Sequence, residues 1–148
     1  MPAGPPPIPP DQIALEALTA LARRRAPMLE EGAFADYYLE LTDIAKGYVE
    51  GRFGVAAMDR TTDELRVVLG VPGSPLGPID VDEFLSFLDR CDLVKFARVA
   101  PAMEETEDDL RSVRAMVEST EAERARRAEQ AAQAASSAAA AAEEEETS

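Results

Sequence analysis

The stretch FADYYLELTDIAKGYVEGRFG (Phe34–Gly54) sets Phe34, Tyr37, Tyr38, Leu41, Ile44, Ala45, Tyr48 and Val49 three or four residues apart. That interval returns each side chain to one face of an α-helix, whose period is about 3.6 residues. Arg52 continues the face, while Asp36, Glu40, Asp43, Lys46 and Glu50 fall on the others. The spacing predicts a helix over about Ala33–Phe53. Gly54 is placed to end it in the left-handed conformation that closes many helices. Gly47 and Gly51 lie inside the helix and cost about 1 kcal/mol each relative to alanine. Close approach of a neighbouring helix is a physical reason for them. Three tyrosines at core spacing read as core.

Upstream, Ile13, Leu15, Leu18 and Leu21 predict a helix over about Asp11–Arg25, its apolar side widened by Ala14, Ala17 and Ala22. Its last turn, ARRR (Ala22–Arg25), carries cations that complement the negative end of the helix dipole. Pro27 and Gly32 punctuate the connection that follows. Residues 1–10, MPAGPPPIPP, read as an extended polyproline-like spacer.

Downstream, TTDEL offers a capping box. The Thr61 hydroxyl can accept from the Glu64 amide while the Glu64 side chain reaches back. A short helix over Thr62–Leu69 follows, with Leu65, Val68 and Leu69 inward and Gly70 at its end. VPGSPLGP (Val71–Pro78) is a loop by composition. IDVDEF repeats the capping device with Asp80 and Glu83, and Ile79 and Phe84 have the spacing of a hydrophobic staple. The helix it starts is read to about Cys91, with Val81, Phe84, Leu85 and Leu88 buried, Phe87 flanking, and a separate turn from Asp92. A last helix starts near Pro101, with acids in its first turns and a thin stripe of Met103, Leu110, Val113 and Val117. After Glu118 the stripe ends, and AEQAAQAASSAAAAAEEEE has nothing large to bury. No segment alternates with period two. The chain reads as all-α: a compact bundle of about five helices over 11–118, a spacer over 1–10, and a low-complexity Ala/Glu-rich tail over 119–148, helical or disordered.

The formal net charge is -14. Residues 34–118 carry 18 acids and 9 bases, so 9 - 18 = -9 of it lies in the globular part. Such a surface repels phosphate backbones and anionic membranes, which disfavours nucleic acid as a partner. One cysteine allows no internal disulfide and fits a reducing cytoplasm. No run approaches the roughly 20 apolar residues of a membrane span.

The residues for common site chemistries are missing. There is no histidine, so neither an ordinary zinc set nor a His-activated nucleophile can be assembled. Cys91 stands between Arg90 and Asp92, and the charges of Asp89 and Asp92 disfavour a thiolate. Its spacing from Leu88 and Phe87 puts it on the apolar side, as a buried structural cysteine. DVDEF (Asp80–Phe84) lacks the glycine and distal glutamate of a calcium loop. The acid pairs Glu104–Glu105 and Asp108–Asp109 sit at a solvated helix start. No catalytic residue, cofactor or metal is expected.

Three segments, YVEGRFG followed by RTTDEL and then LDRCDLVKFA, occur here in a characteristic order, within a resemblance that covers about residues 12–118. In that order the chain resembles the cytoplasmic helical domain of bacterial inner-membrane proteins encoded beside MoxR-type AAA+ ATPases and von Willebrand factor A proteins in Bat-type aerotolerance clusters. The resemblance implies a non-enzymatic interaction domain, an accessory component of such a system. It also implies a cytoplasmic location, at the inner membrane through an upstream anchor or a partner. The family's membrane helix is not in this chain. The competing expectation is a small regulatory or DNA-binding domain with a helix-turn-helix around Thr62–Cys91, against which the charge argues. Lys95, Phe96 and Arg98 are the candidate partner-binding residues: two cations and an aromatic in an acidic domain, a combination common in interface anchors. The simpler account pairs both cations with acids at the start of the last helix.

Overall fold

Five α-helices follow one another: α1 (Pro10–Glu30), α2 (Phe34–Phe53), α3 (Thr62–Leu69), α4 (Val81–Ala97) and α5 (Met103–Thr147). The computed structural model describes residues 7–73 and 75–147, with side chains described through residue 144. Residues 1–6 of the proline-rich spacer lie outside the described residues, and Pro10 opens α1. The described residues contain no β-strand. The bundle is all-α, and α2 is its centre. α1 and α4 both pack on α2, α5 packs on α1 and α2, and α3 covers α4.

α2 justifies its apolar face. Tyr37, Tyr38, Leu41, Ala45, Tyr48 and Val49 are all buried, and Gly54 ends the helix at φ 72°. A Cβ on Gly51 would stand 3.2 Å from the Pro10 ring, so the expected close approach is that of the first turn of α1. Lys46 departs from the solvent face expected for it: it is buried, and its Nζ donates to the Arg60 carbonyl at 2.7 Å. Its long aliphatic stem covers apolar surface while the ammonium ties down the α2–α3 connection. Burial lowers its pKa, and neighbouring Lys95 adds to that shift.

α1 runs through Pro27 instead of ending at Arg25. A proline removes one helical hydrogen bond, here to the carbonyl of Arg23. Arg23, Ala26 and Pro27 are exposed, so water can satisfy the freed carbonyl. Two residues on, Leu29 is buried in the core and holds the helix together past the proline. The helix then closes in a Schellman arrangement: Ala33 N–H donates to Met28 O at 2.9 Å and Gly32 N–H to Leu29 O at 3.0 Å, with Gly32 at φ 80°. Ile13 and Ala22 prove exposed, and Ala14, Leu18 and Leu21 carry the buried face.

α3 has the expected ends, with both halves of the Thr61–Glu64 capping box formed. Asp80 caps α4 by accepting from the Glu83 amide at 3.0 Å. α4 continues unbroken to Ala97, against the separate turn expected from Asp92. Asp92 belongs to the helix because it faces α3, where its carboxylate accepts from the Thr62 hydroxyl at 2.6 Å. Val94, one turn after Cys91, extends the buried stripe.

The stripe of α5 is Thr106, Leu110, Val113, Val117 and Thr120, all buried at alternating spacings of four and three. Met103, expected in it, is exposed. Thr106 can be buried because its hydroxyl donates to the Met103 carbonyl and accepts from Arg25, at 2.5 and 3.3 Å. The Thr120 hydroxyl donates to Met116 O at 2.6 Å. Packing thus runs one turn past residue 118, to Glu121, which accepts from Tyr48 and Arg52 of α2. From Arg124 to Glu144 every side chain is exposed. Removing residues 124–148 is therefore expected to change stability by less than about 0.5 kcal/mol, the usual range for exposed positions. A thermal melt checks it, and a drop of several degrees would mean that the tail packs against the bundle.

Candidate functional site: the C-terminal end of α4

Because α4 continues to Ala97, Leu93 and Phe96 stand one turn apart on its outer side while Cys91 and Val94 point inward. The amides of Arg98 and Val99 both donate to the Leu93 carbonyl, folding the chain back so that Val99 returns beside Leu93. Leu93, Phe96 and Val99 are all exposed, and Phe96 most of all at 79%. Its ring has no core contact to make. The helix was needed to see this: Leu93 and Val99 belong to the patch, and only the three-residue interval from Leu93 to Phe96 signals them in the sequence.

The two cations of the motif differ in role. Lys95 is largely covered. Its Nζ lies 3.3 Å from Asp92 Oδ1 and 5.3 Å from the centre of the Phe96 ring. It thus pairs within its own helix, not with the start of α5, and it supports Phe96 from below. Arg98 is exposed and makes no side-chain ion pair or hydrogen bond among the described residues. It is also the chain's one non-glycine residue at positive φ among the described residues (φ 55°, ψ 35°). A left-handed conformation costs a residue with a Cβ about 1–2 kcal/mol.

Cys91 is fully buried, and burial pushes its thiol up to about 12, outweighing the Thr42 hydrogen bond, which acts to lower it. At pH 7–9 it is a protonated thiol without solvent access. Native protein is therefore expected to react with a thiol reagent only through unfolding, at the rate of the unfolded thiol scaled down by the opening equilibrium. Labelling of native protein as fast as that of the denatured chain at the same pH would contradict this. Cys91→Ser is expected to cost about 1–3 kcal/mol, as a hydroxyl replaces a mostly apolar group in the core.

The three tyrosine hydroxyls are used structurally. They donate to Thr106 O at 2.8 Å from Tyr37, to Asp109 Oδ2 at 2.6 Å from Tyr38, and to Glu121 Oε2 at 2.6 Å from Tyr48. All three phenols are pushed well above the ordinary value, foremost by burial. Among the described residues, no group of three or more His, Cys, Asp or Glu side chains is arranged to hold a metal ion. Nor is any described helix long and apolar enough to cross a membrane. The α3–α4 connection spans residues 70–80, where a helix-turn-helix has a turn of about three or four residues. No protein-family model matches the chain, and no curated protein or solved structure matches it.

Proposed function

We propose that the chain is a non-enzymatic protein-interaction domain, working as an accessory component of a MoxR-type ATPase and von Willebrand factor A system on the cytoplasmic side of the inner membrane. The partner docks on the end of α4. The observation that carries this reading is Phe96, a large aromatic ring left 79% exposed beside Leu93 and Val99. Aromatic and arginine side chains supply much of the binding energy at protein interfaces. Arg98 adds a charge with no ion pair of its own among the described residues, held at a backbone position that glycine would occupy at lower cost. The ATPase and von Willebrand partners come from the resemblance of YVEGRFG, RTTDEL and LDRCDLVKFA to that family.

Arg98→Gly separates docking from folding. Glycine relieves the left-handed strain, so stability is expected to stay within about 1 kcal/mol of the parent. Capture of purified ATPase or von Willebrand factor A partner should fall, and should fall further in Lys95→Glu/Arg98→Glu. Undiminished capture by the folded variants would overturn the reading.

A further inference from the structure

A second surface lies on the other half of α4. α4 and α5 both flank α2 without packing closely on each other, and Arg90 spans the gap to Asp109 at 3.3 Å. The gap is an open groove. Its section at Phe87, Arg90 and Ser112 holds about 430 Å³, and its continuation to Ser119 and Glu123 about 610 Å³. Along α5 it follows residues 112–123, about three helical turns. One wall is a face of α5; the other is the first turns of α4 and, along the continuation, Pro78, Ile79 and Asp80 of the α3–α4 connection. α5 presents Ser112, Ala115, Met116 and Ser119 at three-four spacing, and α4 presents Asp82, Glu83, Ser86 and Phe87. The serines and the alanine leave room for a backbone to come close, while Met116 and the edge of Phe87, whose ring face carries the Arg90 guanidinium at 5.7 Å, line the bottom.

Charge identifies the occupant. Arg90 is paired with Asp109 and Arg126 with Glu123, so each cation at the groove already has an acid beside it. Asp82 and Glu83 are exposed and make no ion pair among the described residues. We propose that this groove takes an amphipathic helix of a partner protein, about three turns long. The helix lays small or aliphatic side chains on Phe87 and Met116 and sets lysine or arginine along the flank that meets Asp82 and Glu83. This is helix-in-groove recognition, with the acidic rim selecting the partner's sign. The site is distinct from the Phe96 patch in place and in charge, and it stands or falls separately from the function proposed above.

The test uses the full chain and a fluorescein-labelled amphipathic peptide of about twelve residues, built from leucine, alanine and lysine, with anisotropy read at about 0.15 M salt. Ala115→Trp fills the groove from an exposed position. Asp82→Lys/Glu83→Lys reverses the rim. Glu104→Lys/Glu105→Lys makes the same change in net charge away from the groove. The peptide is expected to bind the parent and the Glu104/Glu105 variant within about twofold of each other, and both groove variants about tenfold or more weaker. Should the rim variant fail to fold, Ala115→Trp carries the comparison, with thermal melts confirming its fold. Equal weakening in the Glu104/Glu105 variant would reduce the effect to overall charge and overturn the proposal. Unchanged binding to Ala115→Trp would overturn it too. So would a parent dimer in sedimentation that Ala115→Trp converts to monomer, because the groove would then belong to a second copy of this chain.

Discussion

Tyr48→Ala is expected to cost about 3–5 kcal/mol, the range for deleting a large buried aromatic side chain. The ring is 2% exposed in the C-terminal half of α2, and its hydroxyl reaches across to Glu121 of α5. Domains of this size have total stabilities of about 5–15 kcal/mol, so the variant should be marginal or unfolded at ambient temperature. Tyr48→Phe separates ring from hydroxyl. It keeps the packing and loses one hydrogen bond, and Glu121 retains Arg52, so a loss of about 1–2 kcal/mol is expected. Urea denaturation of both variants checks the pair. Equal losses would mean that the hydroxyl, not the ring, holds α2 to α5.

The second large effect is expected from Arg52→Ala. Its guanidinium donates to Glu121 Oε1 and Oε2 at 2.6 and 3.0 Å, and to Asp11 Oδ1 at 3.2 Å. One arginine therefore joins the start of α1, the end of α2 and the last packed turn of α5. Breaking a fully buried pair costs about 3–5 kcal/mol. This network is partly wet, with Arg52 and Glu121 side chains 15% and 22% exposed, so about 2–4 kcal/mol is expected. Acid should remove the same contribution. Burial alone would raise the Glu121 pKa, but the Tyr48 hydroxyl and the Arg52 guanidinium outweigh it and hold the carboxyl below its ordinary value. A depressed folded pKa gives stability that is present above the unfolded value, about 4.3, and lost as pH falls through the folded one. The stability gap between the parent and Glu121→Gln should therefore be widest near neutrality and close on acidification below about pH 4.3. A gap independent of pH would place the effect in packing rather than charge.

Local signals made much of this fold legible. The three-four spacing of α2, Gly54 and the Thr61–Glu64 box each act within a few residues, and each appears where the sequence puts it. What escaped reading depends on partners far along the chain. Lys46 is buried because the Arg60 carbonyl receives it, and Thr106 because Arg25 of α1 arrives at its hydroxyl. Leu76 and Ala57 lie in connections yet are fully buried, and no local pattern distinguishes them from solvated loop residues. Pro27 misled for the complementary reason: a local breaker was overruled by the burial of Leu29.

The candidate site was legible in part. Lys95, Phe96 and Arg98 can be named from the scarcity of cations and aromatics in an acidic chain. Their different roles cannot, because these depend on whether α4 stops at Cys91. Asp89, Arg90 and Asp92 interrupt the apolar run, but Asp89 and Asp92 face α3, where Arg66 and Thr62 meet them at 2.7 and 2.6 Å. Once the helix continues, Lys95 turns inward to Asp92 and Phe96 outward. The α4–α5 groove has no sequence signature, since it follows from two helices flanking a third.

Hydrogen–deuterium exchange tests the central claim, that this is a partner-docking domain whose contact is the end of α4. The full chain is compared alone and with a purified MoxR-type ATPase and its von Willebrand factor A partner. The expected result is slowed exchange confined to the amides of residues 93–99, and loss of that protection in Phe96→Ala with an unchanged melting temperature. Binding that protects other segments and leaves 93–99 untouched, or protection that survives Phe96→Ala in full, would contradict it.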